Sequence, residues 1–138
     1  MNPEYLIIHT AAFEGEADVE TVRQWHLQRG FTDIGYHFYI RRSGLLQEGR
    51  SEFIKGAHCR DKGMNSKSLG ICFEGHHNME DWTPEQEFTF GSLAKYLMTK
   101  YSIPVRNVLG HRETGANKDC PGTRIDMDEV RNKLKTLI

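Results

Sequence analysis

The sequence is short of several things: it has three cysteines, a net charge of −1, and no apolar run approaching membrane-spanning length. Each shortage excludes a class of protein. Without about 18 consecutive apolar residues, no segment is expected to insert in a membrane. Lys and Arg number 18 against 19 Asp and Glu. No global positive field is therefore available to hold a polyanion, and general nucleic-acid binding is not expected. Cys59, Cys72 and Cys120 are odd in number and form no CxxC pair. A disulfide framework is thus unlooked-for, and each thiol is open to a role as core residue, ligand or nucleophile. The opening MNPEYLIIHT carries no basic flank followed by a long apolar stretch and a small-residue cleavage site. The chain is accordingly expected to begin in the cytoplasm.

What is present suits one ordinary domain. The 138 residues are 38% apolar and 27% charged, enough to build a core without disulfide staples. Tyr5–His9 is a short apolar run that ends on a histidine, the pattern of a buried strand. Asp18 can cap a helix to about Arg29, with Val19, Val22 and His26 on one stripe and Gly30 as its left-handed stop. Ile34–Arg42 alternates. A two-residue period places Tyr36, Phe38 and Ile40 on an inner face and His37, Tyr39 and Arg41 on the other. Ser43-Gly44 turns the chain toward a return strand at Leu45-Leu46. Gly49 to about Ser68 shows no period and contains His58; loops of that length in small domains are often functional. Leu69–Glu74 has the makings of a central strand. Thr83-Pro84-Glu85-Gln86 is a capping box with proline at the first helical position. Phe90, Leu93, Ala94, Leu97, Met98 and Tyr101 continue that helix along one apolar face. Ile103–Leu109 is a further strand, and residues 110–123 form a loop. Asp126 caps a last helix with Met127, Val130, Leu134 and Leu137 facing inward. The order β-α-β-β-β-α-β-α predicts a mixed α/β fold, one domain with a central mixed β-sheet flanked by helices. Strand order is not readable from it.

Three candidate ligands sit at strand ends or in loops: His9, His111 and Cys120. Two imidazoles and one thiolate form an N2S set that suits zinc, with the fourth tetrahedral position left for water. A strand-end histidine is otherwise an ordinary core or surface residue, and a free cysteine is commonly a small buried hydrophobe. Lys118 lies two residues before Cys120, so an extended segment would aim both the same way; the alternative is a solvated lysine. Tyr36, among apolar neighbours, needs a partner for its hydroxyl. Either it bonds a backbone carbonyl or it opens onto the cleft. Arg60, Lys62 and Asn65 in the long loop are equally readers of a substrate or solvated residues. A cysteine hydrolase, with Cys120 as nucleophile and His111 as base, is a competing reading of the same residues.

Four segments occur together in one order: Arg23-Gln24-Trp25-His26, Gly35-Tyr36-His37-Phe38, Asn65 to Cys72 with Ser68-Leu69-Gly70-Ile71, and Gly110-His111-Arg112 through Cys120-Pro121-Gly122. In this the chain resembles the zinc-dependent N-acetylmuramoyl-L-alanine amidases that share a fold with peptidoglycan recognition proteins, and most of all the short phage amidase lysozymes. The resemblance runs over about residues 5 to 137. It implies a mixed sheet with a zinc groove on one face and Zn2+ on His9, His111 and Cys120. Tyr36 and Lys118 would assist catalysis, and His58 would line the substrate groove. In that groove Asn65 is a candidate substrate-binding residue for the stem peptide, and equally a solvated loop residue. The implied activity is hydrolysis of the amide between N-acetylmuramic acid and L-alanine in bacterial peptidoglycan. The implied setting is a monomeric phage or prophage endolysin, held in the cytoplasm until released to the wall. A non-catalytic peptidoglycan-binding module of the same fold is the alternative. Some branches carry a glutamate base where this chain has Cys72; Glu74, two residues on, could replace it only by reaching the cleft.

Overall fold

The computed structural model describes residues 1–116 and 118–138. Five strands form one sheet: β1 (Tyr5–Thr10), β2 (Phe38–Ile40), β3 (Leu46–Glu48), β4 (Ser68–Phe73) and β5 (Val108–Gly110), in the order β3-β2-β4-β1-β5. The β1/β4, β1/β5 and β2/β4 pairings are parallel, while β2/β3 is an antiparallel hairpin. The sheet is therefore mixed, as the element order implies.

Three helices cover it, each started by a side chain that satisfies otherwise orphaned amides. Helix α1 (Val19–Gln28) begins where the Asp18 carboxylate accepts from the Thr21 amide, and it buries Val19, Val22 and His26. Helix α2 (Pro84–Tyr101) has the full capping box of Thr83 and Gln86 and buries Phe90, Leu93, Ala94, Leu97 and Met98. Helix α3 (Met127–Lys135) starts at Asp126, whose side chain accepts from the Asp128 and Glu129 amides. Leu137 does not face inward. It lies beyond the end of α3 and is 46% exposed, because the helical period stops at Lys135.

The two faces of the sheet are packed differently. Leu6, Ile8, Phe38, Ile40, Leu69, Ile71 and Phe73 point to the face covered by α2 and α3 and form the main core with Trp82 and Phe90. Phe73 stacks on Trp82 with ring centroids 3.9 Å apart and planes 2° from parallel. Burying one such leucine or isoleucine is worth about 1.5–3 kcal/mol, so this face holds most of the stability. The opposite face carries Ile7, Tyr39 and Cys72. It is covered by α1 on one side and by the 49–67 segment on the other.

Three expected elements differ. Ile34–Arg42 is a strand only over Phe38–Ile40, since the chain is irregular from Gly35 to His37. Tyr36 therefore does not follow Phe38 and Ile40; it packs with Tyr39 and Cys72 on the other face. Ile103–Leu109 is not one strand. Pro104 precedes a short 3-10 turn, Val105–Asn107, and pairing begins only at Val108. The long loop contains 3-10 turns over Asp61–Ser66, with Lys62 and Gly63 at positive φ. Among the described residues, no helix is long and apolar enough to cross a membrane.

Candidate metal centre

His9 is the fifth residue of β1, beside Cys72 of β4 in the parallel register. Ile8 pairs with Gly110, so His111, the next residue after β5, emerges alongside His9. Both imidazoles thus stand at the carboxyl ends of adjacent parallel strands, the usual place for ligands in such sheets. Their ring centroids are 4.6 Å apart. Cys120 comes from the loop that follows and places its sulphur 3.7 Å from His9 Nδ1. One ligand atom from each of His9, His111 and Cys120 lies within 4.8 Å of the others. A tetrahedral ion with a sulphur bond of about 2.3 Å and a nitrogen bond of about 2.0 Å sets those two donors about 3.6 Å apart. The spacing fits a single metal ion, and the donor set leaves one tetrahedral corner open.

The loop bearing Cys120 is anchored by Arg112. Its backbone amide donates to the Cys120 carbonyl at 2.8 Å, and its guanidinium donates to Gly122 O at 2.7 Å and to Ile125 O. The Thr10 amide donates to Cys120 Sγ at 3.4 Å. These contacts were not foreseen from the sequence; the adjacency of Arg112 to a candidate ligand is the only signal that could have suggested them.

Burial lowers His9 well below the usual imidazole value, helped by the rings of His58 and His111 and by the Lys118 charge. His111 is lowered by burial and then by Lys118, with Asp61 opposing. Burial pushes the Cys120 thiol up to about 11, against the pull of the Thr10 amide and Lys118. At neutral pH the metal-free pocket is therefore two neutral imidazoles and one protonated sulphur.

Of the other expected site residues, Tyr36 has its ring 5.0 Å from that of His9. Burial, with the sulphurs of Cys72 and Cys120 nearby, raises its phenol well above the ordinary value. Lys118 is exposed, and its charge acts on all three candidate ligands. His58 is buried, with Nδ1 2.9 Å from His9 Nε2. Asn65 turns its carbonyl oxygen into its own loop, where it accepts from the His58 amide at 2.9 Å and the Cys59 amide at 2.8 Å. Glu74 does not reach the cleft. It is buried just past the carboxyl end of β4, where it is held toward β2 and α1, accepting from Arg41 Nε, the Arg42 amide and the Ala17 amide. Burial alone would raise its carboxyl, but the Arg41 bond and the two amides outweigh it and hold it low. A structural anion clamped this way is no base for the site. Cys72, fully buried and raised well above its usual value by desolvation, is none either. A second group, Cys59, Asp61 and His111, also gathers three donor atoms within 4.8 Å; it shares His111 with the first.

Known proteins similar to this chain fall in one family and its relatives. The family described as N-acetylmuramoyl-L-alanine amidase matches residues 1–123. The endolysin of Escherichia phage T7 is 33% identical over 138 residues, 95% of this chain and 88% of that protein. Peptidoglycan-recognition protein SC2 of Drosophila melanogaster is 35% identical over 115 residues, 82% of this chain and 60% of that one. The solved structure of N-acetylmuramoyl-L-alanine amidase LysC from Clostridium intestinale URNW superposes with a TM-score of 0.89 at 34% identity, covering 97% of this chain and 86% of that one.

Proposed function

The chain belongs to the N-acetylmuramoyl-L-alanine amidase family, and we propose that it is a zinc-dependent peptidoglycan hydrolase of the phage or prophage endolysin type. It cuts the amide joining N-acetylmuramic acid to the L-alanine of the stem peptide. The observation that carries this reading is the convergence of His9, His111 and Cys120 on one point at the carboxyl edge of the sheet. Such an enzyme works as a monomer on the wall, which it reaches once released from the cytoplasm.

An amide is a weak electrophile with a poor leaving group. Zinc held by the three side chains supplies a Lewis acid for the carbonyl and a more acidic water. The chain's own residues supply the rest. The role assigned to the Lys118 ammonium is to stabilise the developing oxyanion, a contribution typically worth about 10²–10³ in rate. Tyr36 keeps its proton at neutral pH because burial raises its phenol. It therefore acts as a hydrogen-bond donor to the same oxygen and not as a base. The Thr10 amide, donating to the Cys120 sulphur, tempers the charge that a thiolate would otherwise push toward the metal.

The competing cysteine-hydrolase reading is disfavoured by the same electrostatics. A thiol raised to about 11 is not the activated thiolate that nucleophilic catalysis needs. Digesting purified peptidoglycan with and without a zinc chelator tests the proposal. Stem peptides with a free L-alanine amino terminus, formed only without chelator, are expected. New reducing sugar ends in place of free amino termini would refute it.

A further inference from the structure

The outward nitrogen of His9 is not left to solvent. His9 Nε2 lies 2.9 Å from His58 Nδ1, and the two rings meet edge to face at 89°. On its far side, His58 Nε2 lies 3.3 Å from Ser68 Oγ. Ser68 Oγ donates its only proton to Met64 O at 2.6 Å. This last bond fixes the direction of the whole series. With its proton committed, Ser68 Oγ can only accept, so His58 carries its proton on Nε2 and presents a lone pair at Nδ1. His9 must then donate from Nε2, which leaves His9 Nδ1 unprotonated. That atom is the one 3.7 Å from the Cys120 sulphur.

The fold makes room for this arrangement. A Cβ at Gly70 would stand 2.5 Å from His58 Cγ, and one at Gly56 would stand 2.7 Å from His58 Cδ2. The His58 and Cys59 amides are tied to Asn65 Oδ1, so the ring sits on a fixed backbone. Both of its nitrogens are engaged within the protein, so its position suits holding His9 better than contacting a ligand.

We propose that His58 is a positioning residue of the metal centre: through its hydrogen bond it locks His9 in the tautomer and ring orientation that aim Nδ1 at the metal, with Ser68 setting the proton direction and Asn65 holding the loop. The inference rests on the metal site proposed above. It gives His58 and Asn65 an indirect role, behind the ligands. Outer partners of metal-bound histidines typically change metal affinity by about 10–100-fold.

The first test uses the parent protein without metal. Nitrogen-15 NMR of the imidazoles is expected to show both His9 and His58 protonated at Nε2. A His9 proton on Nδ1 overturns the proposal. The second test measures zinc dissociation constants by chelator competition, together with the visible spectrum of the cobalt-substituted protein. His58→Leu is expected to weaken zinc about 10–100-fold and to change the cobalt spectrum. His58→Asn, whose carbonyl oxygen can accept near the position of Nδ1, is expected to recover most of the loss. Equal affinity in the parent and a folded His58→Leu variant overturns the proposal. If His58→Leu does not fold, Ser68→Ala decides: weaker zinc binding with a mixture of His58 tautomers is expected, and unchanged binding with an unchanged tautomer refutes it. Failure of the parent itself to bind zinc would instead remove the metal site, a distinct result.

Discussion

Metal uptake should release one proton, and that proton should come from Cys120. Both imidazoles enter without a charge to lose, because burial holds His9 and His111 below the ordinary value. The thiol, raised to about 11, is ionised in only about one molecule in ten thousand at pH 7. A metal that binds the thiolate must displace that proton, so its apparent affinity rises tenfold for each pH unit. The window matters. A water on zinc ionises near pH 7 or above and would add a second proton there, so the clean range is about pH 6 to 7. Chelator competition across that range should give a slope of one in log affinity against pH. Calorimetry in two buffers of different ionisation enthalpy counts the same proton directly. In Cys120→Ser the slope should fall toward zero along with the affinity. A slope of zero in the parent would mean the sulphur is already ionised, and a slope of two that an imidazole must also discharge. Either result refutes the electrostatic account of the pocket.

Lys118→Ala should retain zinc at the parent stoichiometry and lose about 10²–10³ in turnover on peptidoglycan; full activity would remove the lysine from the mechanism. Glu74→Gln should destabilise the fold by up to about 3–5 kcal/mol at neutral pH, because it breaks a buried pair, while leaving metal content unchanged. Glu74 is held below the ordinary carboxylate value, so its stabilisation is complete above that ordinary value and is lost as pH falls through the folded value. The gap in urea midpoint between parent and Glu74→Gln should therefore narrow in acid, and a gap that widens would contradict the sign. Gly70→Ala should cost about 1–3 kcal/mol by overpacking and weaken zinc through displacement of the His58 ring; thermal melts and chelator competition measure the two effects.

The features legible in the sequence are those written in a few adjacent residues. Asp18, Thr83 with Gln86, and Asp126 start helices by local hydrogen bonds, and all three caps occur where the sequence places them. Faces of strands were less legible. Alternation identifies a face only when one side is wet, and here both sides of β2 are buried, Phe38 and Ile40 against one layer and Tyr39 against the other. The period thus assigned Tyr36 to the wrong side; the one residue that marks the irregular Gly35–His37 backbone is Gly35 itself, where a Cβ would stand 2.2 Å from Ala57 O. Leu137 failed for a related reason: the apolar spacing continues two residues past the point where the helix stops. Glu74 was compatible with the cleft from its spacing alone; the Arg41-Arg42 pair that captures it directly follows β2, and only the β2/β4 pairing brings them together.

The candidate ligands are nominated by residue type, but their meeting depends on a pairing that is nonlocal in the chain. His9 and His111 are 102 positions apart in number and become neighbours because β5 docks in parallel against β1, at the edge opposite the hairpin. That leaves the two imidazoles on rigid strand ends and the sulphur on a loop. The two tethers differ accordingly. The loop that carries Cys120 needs Arg112 to hold its backbone, whereas a strand-end histidine needs only its ring rotation fixed. The hydrogen bond from His9 to His58 fixes that rotation, and the glycines at 56 and 70 leave the space for it. A long loop with no recognisable period thus acquires a physical purpose: it brings one acceptor to the back of a candidate ligand that the sheet has already positioned.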